Sequence, residues 1–228
     1  PPAPTSEAVR HPLRRRSLSV VAVERLTPHM IRITLSGPDM ADFVSASPDD
    51  HIKIFLPGAD GVEVRRDYTP RRYNRQSATL VLDFVDHHAG PAAAWARTAS
   101  VGAQLDIGGP KGSRVIAGPV AQWLLVGDET ALPAIGRRVE ELPAHAAVTT
   151  VVAAPGTHDE QSFTTSASQG ASRVHRPPAH ADPAHALFAA RAGVCIEPRT
   201  FHWCRADAHV DRRARPSHRS DRCGRGPG

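Results

Sequence analysis

Long apolar runs are missing from this 228-residue sequence. No stretch reaches the roughly 18 apolar residues that a membrane-crossing helix needs, so no membrane span is expected. Pro1 to Arg16 is basic and proline-rich but has no apolar h-region, so no secretory signal is expected there and residues 1–16 read as a flexible leader. Cysteine is scarce. Cys195, Cys204 and Cys223 are odd in number and have no CxxC spacing, so neither a paired-cysteine zinc site nor a disulfide framework follows. A reducing, cytoplasmic setting is the simpler expectation. Only two lysines occur, Lys53 and Lys111, and aromatic residues make up 5%, so each of these side chains carries more weight. The common dinucleotide fingerprint GxGxxG is also absent.

What is present is ordinary for a soluble globular protein: 40% hydrophobic and 22% charged residues, enough chain for one large or two ordinary domains. The net charge of +5 could suit nucleic acid, an anionic cofactor or an anionic substrate. From Ser166 onward eleven arginines face five carboxylates, yet they are not interleaved with aromatics and fit no recognition helix. A nucleic-acid partner is therefore not expected.

Alternation of apolar and polar residues predicts strands at Ser17–Leu26, Met30–Ser36, Ile52–Leu56, Val62–Tyr68, Thr79–Val85 and Gln104–Ile107, with a helix over Pro91–Ser100. Six strands and one inserted helix within about 100 residues suggest a small antiparallel barrel over residues 17–118. After Gly118-Pro119 the rhythm changes. Trp123 to Val126 is a continuous apolar run, Ala131 to Leu142 is amphipathic, and Val148 to Val152 is a second buried strand, which predicts a Rossmann-like α/β unit over 119–211. The pattern turns atypical after about residue 163. Ala184 to Arg191 fits one short helix, and 212–228 reads as a disordered basic tail.

The run Arg65-Arg66-Asp67-Tyr68-Thr69-Pro70-Arg71-Arg72-Tyr73 is the strongest local signal. On a strand, Arg66 and Tyr68 share a face while Thr69 points the other way at its end. Arg66 can fork onto a phosphate, Tyr68 can stack on a flat heteroaromatic ring, and Thr69 can hydrogen-bond a ring nitrogen. An edge strand with solvated arginines is the plain alternative. The segment His87-His88-Ala89-Gly90-Pro91 ends a strand and opens a helix, where unpaired amides can hold a phosphate, although it can also be only a turn. Gly108 to Ser113, with Lys111, is a second phosphate-sized loop. Asp128 and Glu129 stand at the carboxyl end of the first strand of the α/β unit, the usual ligand edge, where they could contact hydroxyls or cap the helix.

Taken in order, Arg66 to Arg72, Asp83-Phe84-Val85-Asp86-His87, Gly90-Pro91-Ala92 with Trp95-Ala96, Gly109 to Ser113, and Gly127-Asp128-Glu129-Thr130-Ala131-Leu132-Pro133-Ala134-Ile135 resemble the siderophore-interacting proteins, ferric-siderophore reductases related to ferredoxin reductases. The likeness covers about residues 17 to 163. It implies a six-stranded FAD-binding barrel followed by a nucleotide-binding domain, with FAD and NADPH or NADH as cofactors. It also implies roles: Arg66 on the flavin phosphates, Tyr68 on the isoalloxazine, and Thr69 near its reactive nitrogen. Asp83, Val85, His87, Gly90, Pro91 and Ala92 would complete the flavin site, and Gly127, Asp128, Glu129 and Thr130 would border the nucleotide. Lys53 and Lys111 would attract an anionic ferric siderophore. The segment Thr200 to His209 departs from the family pattern, with Ala206 for glycine and Asp207 for glutamate. The expected protein is a monomeric, cytoplasmic ferric-siderophore reductase. A flavin- or siderophore-binding protein without turnover is the alternative.

Overall fold

The computed structural model of the chain describes residues 4–58, 61–87 and 90–175. Its first elements are the strands β1 (Thr5–Arg10), β2 (Arg15–Thr27), β3 (Met30–Ser36), β4 (Ile52–Pro57), β5 (Glu63–Tyr68), β6 (Arg72–Asn74) and β7 (Thr79–Val85). Helix α1 (Pro91–Thr98) follows, then β8 (Gln104–Gly108) and β9 (Gly112–Ala117). Strand alternation decides their faces. In β3, Ile31, Ile33 and Leu35 are buried while Arg32 and Thr34 between them are partly exposed, and in β7 Leu80, Leu82 and Phe84 turn the same way. Seven strands form one antiparallel sheet in the order β5-β4-β8-β2-β3-β7-β6. All six strands expected from the sequence are in it, with β6 added as a short seventh. Two register shifts in β2, at Val20/Ala22 and Arg25/Thr27, mark bulges of the kind that bend a strand around its core. Each fully buried Leu or Ile on the inner face contributes about 1.5–3 kcal/mol.

The leader expected to be flexible instead holds β1, which pairs antiparallel with β9 from Thr5↔Ala117 to Arg10↔Gly112. Every residue of β1 is exposed, so the ladder, not burial, defines it. The glycine-rich loop shrinks to the cis Gly109–Pro110 bond and Lys111 between β8 and β9.

The next unit contains β10 (Gln122–Asp128), α2 (Leu132–Glu141), β11 (Ala147–Ala154) and β12 (Ser168–His175), with the three strands parallel in the order β10-β11-β12. Helix α2 buries Leu132, Ile135 and Val139 in a cluster with Trp123, Leu125, Val148 and Val152. Gly127 makes that close packing possible, because a Cβ there would fall 2.4 Å from the Ala131 Cβ. Met30 belongs to the same cluster, and Leu26 and Val85 pack on it, so this core runs on to the antiparallel sheet. Strand β12 lies where the apolar pattern fades, held by its ladder to β11. The expected helix over Ala184 to Arg191, the three cysteines and the basic tail lie outside the described residues.

Candidate functional site

Strand register builds the site. β4 pairs with β5 so that Ile52 faces Tyr68 and Ile54 faces Arg66, and both isoleucines are buried. Residues opposite one another in an antiparallel pair point to the same side, so Arg66 and Tyr68 share the inner face, as their offset predicts. The Tyr68 ring lies 4.4 Å from Phe84 at 37°, and Phe84 lies 5.5 Å from Trp95 of α1. Burial pushes the Tyr68 phenol well above its ordinary value, against the opposing pull of the Arg66 charge, so the hydroxyl keeps its proton at neutral pH.

The arginines of this run are not equivalent. Arg65 pairs with Glu63 at 3.2 Å, and Arg71 and Arg72 both reach Glu140. Arg66 donates only to the Arg65 carbonyl, at 2.8 Å, and enters no ion pair among the described residues. It is the cation of the run left for an anion.

At the end of β7, the Asp83 carboxylate is buried and accepts from Arg32 Nε at 2.7 Å and Nη2 at 2.8 Å, with Arg71 Nε at 3.8 Å. Its side chain is thus committed inside the protein. The Val81 carbonyl accepts from the Arg71 amide. By strand alternation the main-chain groups of Asp83 and Val85 turn to the same side, past the end of β6. Gly90, at φ 109°, precedes α1, and a Cβ there would meet His87 Cε1 at 3.4 Å, so the exposed imidazole stands beside the helix start. Pro91 has no amide to leave unpaired, and the helix ladder begins with Ala94 donating to the Gly90 carbonyl at 3.1 Å. The amides of Ala92 and Ala93 are the first-turn donors.

Lys53 belongs to the same strand pair. It sits opposite Asp67, between Arg66 and Tyr68 in register, so it projects from the other face and pairs with Asp67 at 2.6 Å. Lys111 is exposed, three residues past Gly108, which is itself opposite Lys53. At the parallel sheet, Gly127 and Asp128 lie level with Val152 and Ala153, forming one carboxyl edge. Asp128 Oδ1 accepts from the Thr130 amide at 2.9 Å and hydroxyl at 2.6 Å, so it closes the turn into α2. Glu129 is half-buried beside it.

Comparisons with known proteins bear on this arrangement. The sequence model described as the siderophore-interacting FAD-binding domain matches residues 19–65 and 59–114, and the one described as siderophore-interacting protein matches residues 120–223. A siderophore utilization protein from T. fusca superposes with a TM-score of 0.80 at 32% identity, over 87% of this chain and 83% of its own. The chain belongs to the siderophore-interacting protein family. The match through residue 223 includes the segment in which Ala206 and Asp207 depart from the family pattern. The NADPH-dependent ferric-chelate reductase of Escherichia coli (strain K12) is 37% identical over 154 residues, which are 60% of this chain and 60% of that relative. The chain spans about 60% of that curated relative's length. The ferredoxin reductase in carbazole 1,9a-dioxygenase, at 19% identity, shares the fold alone, with a TM-score of 0.55 over 72% of this chain and 50% of its own. The fold is thus β-rich and ferredoxin-reductase-like.

The sequence reading missed the polar side of α2 in this siderophore-interacting protein. Arg71 donates to Glu140 through Nη1 at 2.8 Å and Nη2 at 2.6 Å, and the buried Arg137 donates to the Pro70 carbonyl at 3.1 Å. Burial works to raise the Glu140 carboxyl, yet the hydrogen bonds and charges of Arg71 and Arg72 hold it below the ordinary range. The string Arg137-Arg138-Val139-Glu140-Glu141 gives no local signal of this: helix geometry turns Arg137 and Glu141 away from the buried Val139, so the four charges read as an ordinary polar face.

Proposed function

We propose that this chain is the cofactor-binding part of a ferric-siderophore reductase. In this reading residues 17–118 form the FAD-binding barrel, residues 119–211 form a Rossmann-like NAD(P)H-binding unit, and the electron acceptor is an anionic ferric siderophore. The observation that carries it is the placement of Arg66 and Tyr68 on one sheet face, with Tyr68 backed by Phe84.

The residues fit FAD. Tyr68 is half-buried and offers a ring to stack on, Arg66 has no carboxylate partner among the described residues, and the α1 start offers the Ala92 and Ala93 amides beside His87. When bound, FAD would supply the conversion of two-electron hydride donation by NAD(P)H into single-electron transfers to ferric iron. Arg66 would hold the pyrophosphate, Tyr68 would cover one ring face and exclude water from it, and Thr69 would hydrogen-bond the ring edge. Asp83 and Val85 would contribute main-chain groups. Gly127 to Thr130 would border the nicotinamide nucleotide. The Asp128 charge is drawn into its own turn by Thr130, which lessens its repulsion of a nucleotide phosphate. Lys53 and Lys111 would attract the siderophore, Lys111 the more strongly because Lys53 is paired with Asp67. Reduction weakens the hold of hard oxygen ligands on iron and so frees it.

The test is to load the purified protein with FAD and add NADPH, then NADH, without oxygen. Bleaching of the flavin spectrum is expected. Bound flavin that stays oxidised, or no bound flavin, would contradict the reading.

A further inference from the structure

We propose that Arg71 is a positioning residue, through which helix α2 fixes Tyr68 and Thr69 in the place that hydride delivery requires. This rests on the function proposed above and assigns Arg71 no contact with flavin.

Arg71 follows Tyr68 by three residues, and its amide is pinned to the Val81 carbonyl at 2.9 Å. Its side chain then leaves the antiparallel sheet. It is 3% exposed, and both terminal nitrogens are held by Glu140, 69 positions later. The guanidinium carbon lies 5.6 Å from the centroid of the Phe163 ring. Gly136, one turn before Glu140, leaves room for it: a Cβ there would come within 3.0 Å of Arg71 Nη2 and 2.5 Å of Phe163 Cε1. A second arm runs the other way. Arg137 reaches the Pro70 carbonyl at 3.1 Å and the Ser45 carbonyl at 3.0 Å. Both residues that follow Thr69 are therefore held by α2.

The other end of α2 is tied as tightly. Gly127, at the carboxyl edge of β10, lies against Ala131 and Ile135 with no space for a side chain. One helix thus links the edge proposed for the nucleotide to the turn that carries Thr69. A buried ion pair is weak evidence for stability, because desolvation offsets its attraction. Bidentate geometry fixes orientation, and hydride transfer depends steeply on orientation: a misplacement of 1 Å can cost about 100-fold in rate.

The experiment uses the full chain carrying Glu140→Gln or, separately, Gly136→Ala, with Arg114→Gln as a surface control. Three quantities are read on FAD-loaded protein: flavin affinity, the limiting rate of anaerobic bleaching at saturating NADPH, and the rate of reoxidation by a ferric chelate. Hydrogen exchange of residues 68–72 is read on flavin-free protein. Both variants should bleach roughly 10-fold or more slowly, while flavin affinity and reoxidation stay within about 3-fold of the parent. Exchange at 68–72 should quicken in both, and the control should change in neither respect. Unchanged bleaching, or flavin affinity falling in step with the rate, would overturn the positioning role. Unchanged exchange would overturn the clamp itself, whatever the flavin chemistry. An unmutated protein that binds FAD but is not bleached would instead overturn the function proposed above, and with it the hydride part of this inference.

Discussion

The Tyr68 ring rests on Phe84 at 4.4 Å between centroids, and Phe84 is fully buried in the antiparallel sheet's core. The stacking surface proposed for flavin is therefore part of the core packing and not a mobile loop. Two consequences follow, one for ligand affinity and one for alkaline stability.

Tyr68→Ala should weaken FAD binding roughly 10-fold, since an aromatic pair contributes about 0.5–1.5 kcal/mol beyond its buried area. Tyr68→Phe should retain it, and flavin fluorescence titration separates the two. Equal affinity in Tyr68→Ala would remove the stacking role. The phenol has a raised pKa, so its stabilising contribution is complete below about pH 10 and is lost as pH climbs through the folded value. Alkaline unfolding should therefore be shallower in Tyr68→Phe.

Arg66 distinguishes a phosphate contact from a ring contact. Arg66→Ala should lower FAD affinity by about 2 kcal/mol, the scale of a charge-assisted hydrogen bond, and should leave riboflavin affinity almost unchanged. A matching loss for riboflavin, measured by the same titration, would move Arg66 away from the phosphates.

Asp83 should behave as a structural residue. Asp83→Asn removes a bidentate partner from Arg32 and a charge near Arg71, at a cost of about 3 kcal/mol in urea unfolding. Flavin affinity should stay within about 3-fold if residues 83–85 contact the cofactor through main-chain groups. A loss of binding in protein that remains folded would make the carboxylate itself a ligand.

The two lysines should separate. Lys111→Ala should raise the apparent KM for an anionic ferric siderophore several-fold, by roughly 1 kcal/mol, and added salt should erase the difference. Lys53→Ala should do less, because that ammonium projects from the opposite face and is paired with Asp67. Flavin content should be unchanged in both. A KM indifferent to Lys111 and to salt would end the electrostatic steering argument.

The parts that were legible in the sequence are those decided locally. Ile31, Ile33 and Leu35 alternate with polar neighbours because one face of β3 is core, and the offset of two between Arg66 and Tyr68 puts them on one face of any strand. The strands that escaped notice are held by partners more than by burial: β1 has every residue exposed and pairs with β9, β6 has three residues, and β12 is fixed by its pairing with β11. Lys53 shows the limit of reading by proximity. Alternation with the buried Ile52 and Ile54 turns it away from the inner face, but that Asp67 stands opposite it is decided by the β4–β5 register. The contact between Arg71 and Glu140 spans 69 positions and joins the β5–β6 connection to α2, so no pattern within a window could display it. Family resemblance places Asp83 in the flavin site, and that its carboxylate is bound by Arg32 across a strand pair has no local signal.

The measurement that bears most directly on the central claim follows both ends of the reaction. The FAD-loaded protein is reduced anaerobically with NADPH, freed of excess nucleotide, and mixed with a ferric siderophore in the presence of a ferrous-specific chelator. The account predicts that the flavin absorbance returns while the ferrous complex forms in step, one ferrous ion for each electron released. Reduced flavin that persists beside an unchanged ferric siderophore would contradict it.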